Sequence, residues 1–296
     1  RYNKFIASTE ILFPIDETFL LNINKNEKKE KALIFIERLK IVLLSLSHIQ
    51  PINYNQIISI IHLLQRTTNK YIQNPLLVKQ KDNYLLFSRL NGIIHSIYHR
   101  GRFNKGGRFY GADYQSLNEL QRSKIQINNE SVIELDFSAF HLRMLYHLDG
   151  NDYSADPYDL FDGNKELRSL MKVVSLICIN AKTEGSAING ISQTLFQDSK
   201  LNKIFNKYKY TVKELVKQFK QHHKEIENHF FSDKGVDLMY IDSLIAEDIL
   251  KHFLNKKIPC LTIHDSFIVP SQYKDELHQV MNEAYYNHLN FYPIIK

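Results

Sequence analysis

Two aspartates occupy positions at which a folded chain would present carboxylates at strand ends. Asp136 closes the apolar run VIEL, and Asp265 lies in the middle of the strongly apolar segment IPCLTIHDSFIVP. If these short strands share one sheet, the two carboxylates converge. Neighbouring carboxylates resist joint ionisation unless a cation lies between them, and Mg²⁺ prefers such hard oxygen ligands. The pair therefore predicts a Mg²⁺ site.

A pair of cations at helical spacing forms the second candidate group. Arg168 and Lys172 lie four residues apart in a segment whose apolar spacing predicts a helix over 165–181, so their side chains share one face. Such a pair suits a triphosphate, but in a Lys-rich chain it usually marks a solvated face. A single His-Asp pair such as His264–Asp265 is likewise expected by chance in a chain with 13 His. Taken singly, these features predict no function.

The elements that would position these groups can be read from the apolar spacing. SKIQI and SVIELDF are typical of strands, and IPCLTIHDSFIVP predicts a hairpin with His264, Asp265 and Ser266 at its turn. Helices are predicted after Asp136, over about 200–229, over DSLIAEDILKHFLNKK and over KDELHQVMNEAYYNHL. This mixture predicts an α+β fold.

The first hundred residues carry a different pattern. Residues 1 to about 95 are predicted to be helical, with the strongest periodicity over 27–49 and 56–72. The stretch 97–117 is rich in Gly, Arg and aromatic residues without a period, so we expect an ordered loop that approaches a ligand closely.

Composition sets the broad class of protein. With 296 residues, 44% hydrophobic and 24% charged, the chain can bury a core and is not of the disordered class. A net charge of +6 weakly favours a polyanionic partner. Cys178 and Cys260 lie in apolar runs, which predicts buried thiols in a reducing, cytoplasmic compartment; association with a nucleoid, virus or plasmid is compatible with this. No apolar stretch approaches the roughly 18 residues of a membrane span, so we expect no membrane partner.

Five segments resemble motifs of family A DNA polymerases and single-subunit RNA polymerases, in the order of that superfamily. DFSAFHLR (136–143) resembles the first catalytic motif, and HDSF (264–267) resembles the last one in its RNA polymerase form. RSLMK (168–172) resembles the Arg-x-x-x-Lys start of the nucleotide-binding finger helix. GGRFYGADYQSL (106–117) is similar to the segments that touch primer and template, and DPYDLF (156–161) to the segment that precedes the finger helix.

The resemblance implies a polymerase palm-like antiparallel sheet with helical fingers and an N-terminal helical, thumb-like region. The palm would span 99–296 with reduced fingers inserted at about 150–235, and the thumb-like region would span 1–98. Only about 100 residues precede the Gly-Arg segment, so we expect a small thumb and no proofreading or promoter-binding domain. We therefore expect low processivity without a protein partner or a fused module.

The implied activity is template-directed nucleotidyl transfer from nucleoside triphosphates to the 3′ end of a primer on a nucleic-acid template. Asp136 and Asp265 would be catalytic and hold two Mg²⁺ ions, for which Mn²⁺ can substitute, and the Phe137 carbonyl would be a further metal ligand. Arg168 and Lys172 would bind the triphosphate, and Lys172 would also protonate the leaving pyrophosphate.

The same resemblance assigns residues to the nucleic acid and to the sugar. Nucleic-acid contacts are implied for Arg108, Gln115, Arg143 and His264. His141 replaces the Glu that blocks the ribose 2′-hydroxyl in family A DNA polymerases. Counting four residues at a time from Lys172 gives Leu176 and then Asn180, where these polymerases carry an aromatic or Met and then a Tyr.

These departures leave alternatives open. Without the Glu and the Tyr, deoxyribose selectivity does not follow, and a primase-like or RNA-synthesising polymerase that uses NTPs is the main alternative to a DNA polymerase. A palm-derived nucleic-acid-binding protein that no longer polymerises is a second alternative. A metal-dependent nuclease is a third, although it has no need for Arg168 and Lys172.

Overall fold

The computed structural model describes the backbone of residues 1–14, 76–80 and 83–296, and the side chains of residues 1–12 and 89–296. The helices expected over 27–49 and 56–72 lie outside the described residues.

An antiparallel sheet is the frame of the described structure. Its strands run in the order β2-β3-β1-β6-β7-β9-β8, and every neighbouring pair is antiparallel. Their bounds are β1 Ile11–Pro14, β2 Leu76–Gln80, β3 Asn83–Arg89, β6 Gln126–Ile127, β7 Glu130–Asp136, β8 Leu261–Ile263 and β9 Ser266–Pro270. Two further strands, β4 (His95–Tyr98) and β5 (Gly106–Tyr110), form a separate hairpin.

Helices cover this sheet and extend beyond it. They are α1 Tyr2–Ile6, α2 Glu119–Arg122, α3 Phe140–Leu148, α4 Lys165–Asn180, α5 Glu184–Gln197, α6 Ser199–Tyr208, α7 Val212–His222, α8 Gly235–Asn255 and α9 Lys274–Leu289. All residues of β8 and β9 are buried, because these strands are covered by α8 and α9. The α+β prediction is confirmed.

The single helix expected over 200–229 is wrong, because the chain breaks between α6 and α7 and α7 already ends at His222. Lys209 adopts a left-handed conformation (φ 55°) that ends α6. Thr211 then caps α7, and its side chain and that of Glu214 exchange hydrogen bonds with each other's backbone N–H groups. A capping box of this kind starts a new helix whatever the apolar period suggests.

Residues 76–117 also differ from the expectation. Residues 76–98 contain β2, β3 and β4 instead of helix, and the expected loop over 97–117 contains β5. Strands β1 and β3 extend the sheet that contains β7 and β9, and β4 pairs with β5 across the boundary expected at residue 98. Such pairings depend on partners distant in sequence, which local periodicity does not reveal. The division of the chain at that residue stays a prediction.

Cys178 and Cys260 are both buried and unpaired, as their apolar flanks predicted. None of the described helices combines the length and the apolar character that crossing a bilayer requires.

Candidate active site

The register of β7 and β9 brings the two aspartates together. Asp136, the last residue of β7, pairs with Ser266 at the start of β9, and Asp265 precedes Ser266 in the turn from β8. The Phe137 backbone N–H then donates to the Asp265 carbonyl at 3.1 Å. Both carboxylates therefore lie at the same end of adjacent strands.

The electrostatics of this strand end favour a bound cation. Burial, and after it the charges of Asp265 and Glu134, raise the pKa of Asp136 from its ordinary value of 3.8 to about 7. Lys172 and Lys296 oppose this shift but do not cancel it. Asp136 is thus only partly ionised at neutral pH, and a cation bound beside it would favour the ionised form.

Glu134 is engaged elsewhere and does not add a third ligand. Its carboxylate accepts two hydrogen bonds from Arg122, at 2.7 and 2.8 Å, and one from the Ser266 hydroxyl at 2.7 Å. Within the described residues, no group of three or more acidic, His or Cys side chains is arranged to hold a metal ion. Two carboxylates with open positions beside them fit Mg²⁺, which usually keeps waters and takes substrate phosphates as its remaining ligands.

Helix α4 presents the two cations on one face, as expected. Its start is fixed by Asn164, whose side-chain oxygen accepts from the N–H groups of Glu166 and Leu167. Arg168 donates to Asp156 at 2.6 Å, so the segment DPYDLF holds this guanidinium in place. Lys172 is exposed and, among the described acidic residues, has no ion-pair partner. Its charge lowers the pKa of Asp136, and both residues line the same cavity.

Arg108 and His141 form a second polar group around a buried acid that sequence reasoning missed. Asp242, on α8, is 1% exposed and accepts a hydrogen bond from Arg108. A second nitrogen of Arg108 lies 2.9 Å from Nε2 of His141. Because a guanidinium only donates, Nε2 accepts, and a neutral His141 carries its proton on Nδ1. The apolar positions around Asp242 at helical spacing were the available signal that an acid lies on a buried helix face.

The two glycines before Arg108 explain how β5 reaches Asp242. A Cβ built on Gly107 would lie 2.5 Å from the Ser243 hydroxyl, and the φ of Gly107 is +97°. The Ser243 hydroxyl also lies 3.4 Å from the Gly106 carbonyl. Only glycine allows β5 to lie this close to α8 with this backbone conformation.

His264 lies at the site in a strained, neutral state. Its φ is +55°, and the pKa of its imidazole is lowered by burial first and then by Arg108. Tyr110 packs edge-on against it at 5.3 Å, and its Nδ1 is buried without a hydrogen-bond partner among the described residues. Most buried polar atoms are hydrogen-bonded, so this nitrogen is an exception that the described protein groups do not explain.

Gln115 and Arg143 have structural roles in the described fold. The Gln115 amide donates to the carbonyls of Phe109 and Thr262, at 3.0 and 2.9 Å, and accepts from Ala112. Arg143 is buried, and it donates to the backbone carbonyls of Ser138, Tyr153 and Ala155. A nucleic-acid contact of Arg143 would require this network to open, and the expected contact stays a prediction. For Gln115 the same expectation stays a prediction.

Asn180 lies at the opposite end of α4 from Arg168. Its amide donates to the Leu176 carbonyl at 2.7 Å and packs so closely on Gly235 that any larger residue there would collide with it. Leu176, one turn earlier, is 58% exposed. The face of α4 that carries Arg168 and Lys172 thus continues with the exposed Leu176. It ends with Asn180, whose amide is hydrogen-bonded within the protein.

Most of the expected site residues line one cavity of about 610 Å³. Its lining includes Arg108, Asp136, Phe137, His141, Arg168, Lys172, Asn180, His264 and Asp265. Sequence reasoning missed Met239 and Lys296 in the same lining. Lys296 is fixed there because its backbone exchanges two hydrogen bonds with that of Asp136. No motif marked it, because this pairing joins distant parts of the chain.

Comparison with known proteins adds little to this geometry. No protein-family model and no curated protein sequence matches the chain. Among solved structures, it is similar to the POL domain of Pol1 from M. smegmatis in complex with DNA primer-template and dNTP, with a TM-score of 0.45 and 12% identity. The similarity covers 70% of this chain and 47% of that one, so the chain spans about half the length of that structure.

Proposed function

We propose that this chain is a template-directed nucleotidyltransferase of the family A DNA polymerase type. It would extend the 3′ end of a primer with nucleoside triphosphates. The observation that carries the proposal is the single cavity that Asp136 and Asp265 line together with Arg168 and Lys172. Binding alone does not require two adjacent carboxylates, one with a pKa near 7, in the same cavity as a lysine that has no ion-pair partner among the described residues.

Each side chain has a role in this reaction. Asp136 and Asp265, with the Phe137 carbonyl, would hold Mg²⁺. When bound, Mg²⁺ supplies positive charge to the phosphates and lowers the pKa of the attacking 3′-hydroxyl. Arg168 and Lys172 would bind the triphosphate. The 3′-oxygen would give its proton to a solvent water and bond to the α-phosphorus, as the bond from the α-phosphorus to the oxygen that it shares with the β-phosphate breaks. Lys172 would give a proton to the leaving pyrophosphate.

The first test is primer extension by the carboxylate variants. Asp136→Asn or Asp265→Asn should lower incorporation with Mg²⁺ by at least about 10³-fold, because charge stabilisation in the transition state is lost. Asp162→Asn is the matched control, since Asp162 is exposed and lies outside the cavity. Unchanged incorporation in either carboxylate variant, with the fold intact by circular dichroism, would refute the proposal.

The choice of sugar is the open part of the proposal. His141 and Asn180 both line the cavity but match neither sugar-selecting residue of the DNA polymerases. An RNA-synthesising or primase-like enzyme is therefore the alternative within the same chemistry. Extension of a labelled primer with dNTPs or NTPs separately, followed by the same reactions without primer, distinguishes these activities.

A nucleic-acid-binding protein without catalysis is the second candidate, favoured by the exposed Leu176 and by the internal hydrogen bond of Asn180. A scaffold of this kind needs no metal-dependent nucleotide site. Calorimetric titration of a nucleoside triphosphate with and without Mg²⁺ separates the two, since metal-dependent binding supports the enzyme and its absence supports the scaffold.

A further inference from the structure

The loop of the β4–β5 hairpin carries an exposed aromatic ring beside an unpaired cation. Phe103 is 81% exposed, and its ring meets that of Tyr98 edge-on at 5.2 Å. Ile97 and Tyr98 are also large exposed side chains, so the hairpin presents an apolar patch instead of one isolated ring. Arg102 is exposed and forms no ion pair with any described acidic residue.

The protein holds this loop in place through its other cations. Arg100 forms an ion pair with Asp233, and Lys105 forms one with Asp237, in the first turn of α8. Within the loop, the His99 N–H donates to the Lys105 carbonyl at 2.9 Å. The anchoring uses two of the positive charges and leaves Arg102 and Phe103 facing solvent.

The anchor lies at one end of the candidate active site. The Asp233 N–H donates to the carbonyl of Ala181, the residue that follows α4. Asn180 and Met239, from the end of α4 and the first turns of α8, line the cavity near this point. Strand β5 also leads from Arg108, inside the cavity, to Phe103 within five residues. A polymer that leaves the cavity along β5 therefore meets the exposed ring.

We propose that the loop 99–105 is a second nucleic-acid contact, in which a base of a single-stranded segment stacks on Phe103 and Arg102 pairs with a neighbouring phosphate. The sequence of the loop, HRGRFNK, contains basic residues and no acid, which suits a polyanion. Stacking on an aromatic ring tolerates any base, so this contact would hold a strand without reading its sequence. The choice of nucleic acid as the partner rests on the proposed function.

The chain contains no Trp, which allows a direct test. Phe103→Trp introduces a single fluorescent reporter, and Phe196→Trp is the matched control because Phe196, on α5, is 84% exposed. Titration with a single-stranded oligothymidine should quench the fluorescence of Phe103→Trp and leave that of Phe196→Trp unchanged. The Arg102→Ala change in the Phe103→Trp background should shift quenching to a higher oligonucleotide concentration.

Affinity gives an independent readout. Phe103→Ala should weaken binding of the same oligonucleotide by about 5- to 100-fold, the range expected for loss of one stacked base, and Phe196→Ala should leave it unchanged. Equal quenching at both positions, or unchanged affinity in Phe103→Ala, overturns the inference. If neither the wild type nor Asp136→Asn incorporates nucleotides, the proposed function is wrong. Quenching of Phe103→Trp by the oligonucleotide in that case would still support this contact.

Discussion

At the scale of single residues, the site depends on where charge is buried. Asp136 is an ordinary carboxylic acid in the sequence, yet its pKa in the fold is raised to about 7 by burial and by the neighbouring carboxylates. Asp242 is also buried, but Arg108 neutralises it. One acid is thus left for a ligand to neutralise, and the other is satisfied within the protein.

The raised pKa of Asp136 predicts how the stability of the metal-free protein varies with pH. Between about pH 4 and 7, Asp136 holds a proton in the folded state that it has released in the unfolded state. The contribution of Asp136 to the free energy of unfolding therefore falls as pH rises through this window and is constant on either side of it. From pH 4.5 to pH 7.5, the melting temperature of the wild type should therefore fall by at least about 2 °C more than that of Asp136→Asn. Differential scanning fluorimetry at pH 4.5 and 7.5 measures this, and parallel curves for the two proteins contradict it.

Asp242 predicts a large coupling within the fold. Asp242→Ala and Arg108→Ala should each lower the free energy of unfolding by about 2–4 kcal/mol, because each leaves a partly buried charge unpaired. The double variant should lose about 1–3 kcal/mol less than the sum of the two. Urea unfolding measures all three, and Glu247→Ala is the control because the Glu247–Lys251 pair is exposed and worth under about 0.5 kcal/mol. Additive losses would show that the pair is not coupled.

At the scale of elements, the close contact between β5 and α8 and the pairing of β7 with β9 determine the geometry of the site. Strand β5 lies directly on α8, and β7 pairs with β9, so the elements that carry Arg108, Asp242 and Asp136 are fixed by contacts between elements. Helix α4 then adds its cations at a spacing that the helix alone determines. The positions of the groups relative to one another therefore depend on the contacts between elements.

The contact between β5 and α8 predicts a sharp difference between two glycines. Gly107→Ala combines the strain of a positive φ with a collision at Ser243, so it should cost about 2–4 kcal/mol and lower nucleotide incorporation by displacing Arg108. Gly150→Ala has a similar φ of +79° with no atom within 4 Å, so it should cost about 1 kcal/mol and leave activity intact. Urea unfolding and primer extension compare them.

A suppressor checks the cause. Adding Ser243→Ala to Gly107→Ala removes the hydroxyl nearest the new methyl group, so part of the lost stability should return. No recovery would show that the collision with the Ser243 hydroxyl is not the source of the cost, since Ser243 Cβ at 3.1 Å, Tyr98 at 3.3 Å and the positive φ remain.

At the scale of the whole molecule, the net charge of +6 predicts salt-sensitive binding to nucleic acid. Each phosphate neutralised on a single strand contributes about −0.7 to the slope of log affinity against log salt concentration, so three contacts give a slope near −2. Lys172→Ala should reduce its magnitude by about 0.7 if Lys172 contacts a phosphate. Lys251→Ala is the control, since Lys251 already pairs with Glu247. Fluorescence anisotropy at several salt concentrations measures the slopes, and identical slopes would contradict the contact.

The sequence alone determined the features that depend on short-range spacing. The apolar segments predicted β7, β9 and most of the helices from α3 onward, and the four-residue spacing predicted the shared face of Arg168 and Lys172. The sequence also predicted which residues form the site, and most of them line one cavity.

The tertiary structure decided the features that depend on distant pairings. The register of β7 with β9 joins Asp136 to Asp265, the approach of β5 to α8 gives Arg108 its buried partner, and backbone carbonyls enclose Arg143. The strands at 76–98 were missed for the same reason. Periodicity reports which face of a local segment is apolar, whereas strand pairing, burial and the pKa of Asp136 depend on groups that the fold brings together from more than a hundred residues away.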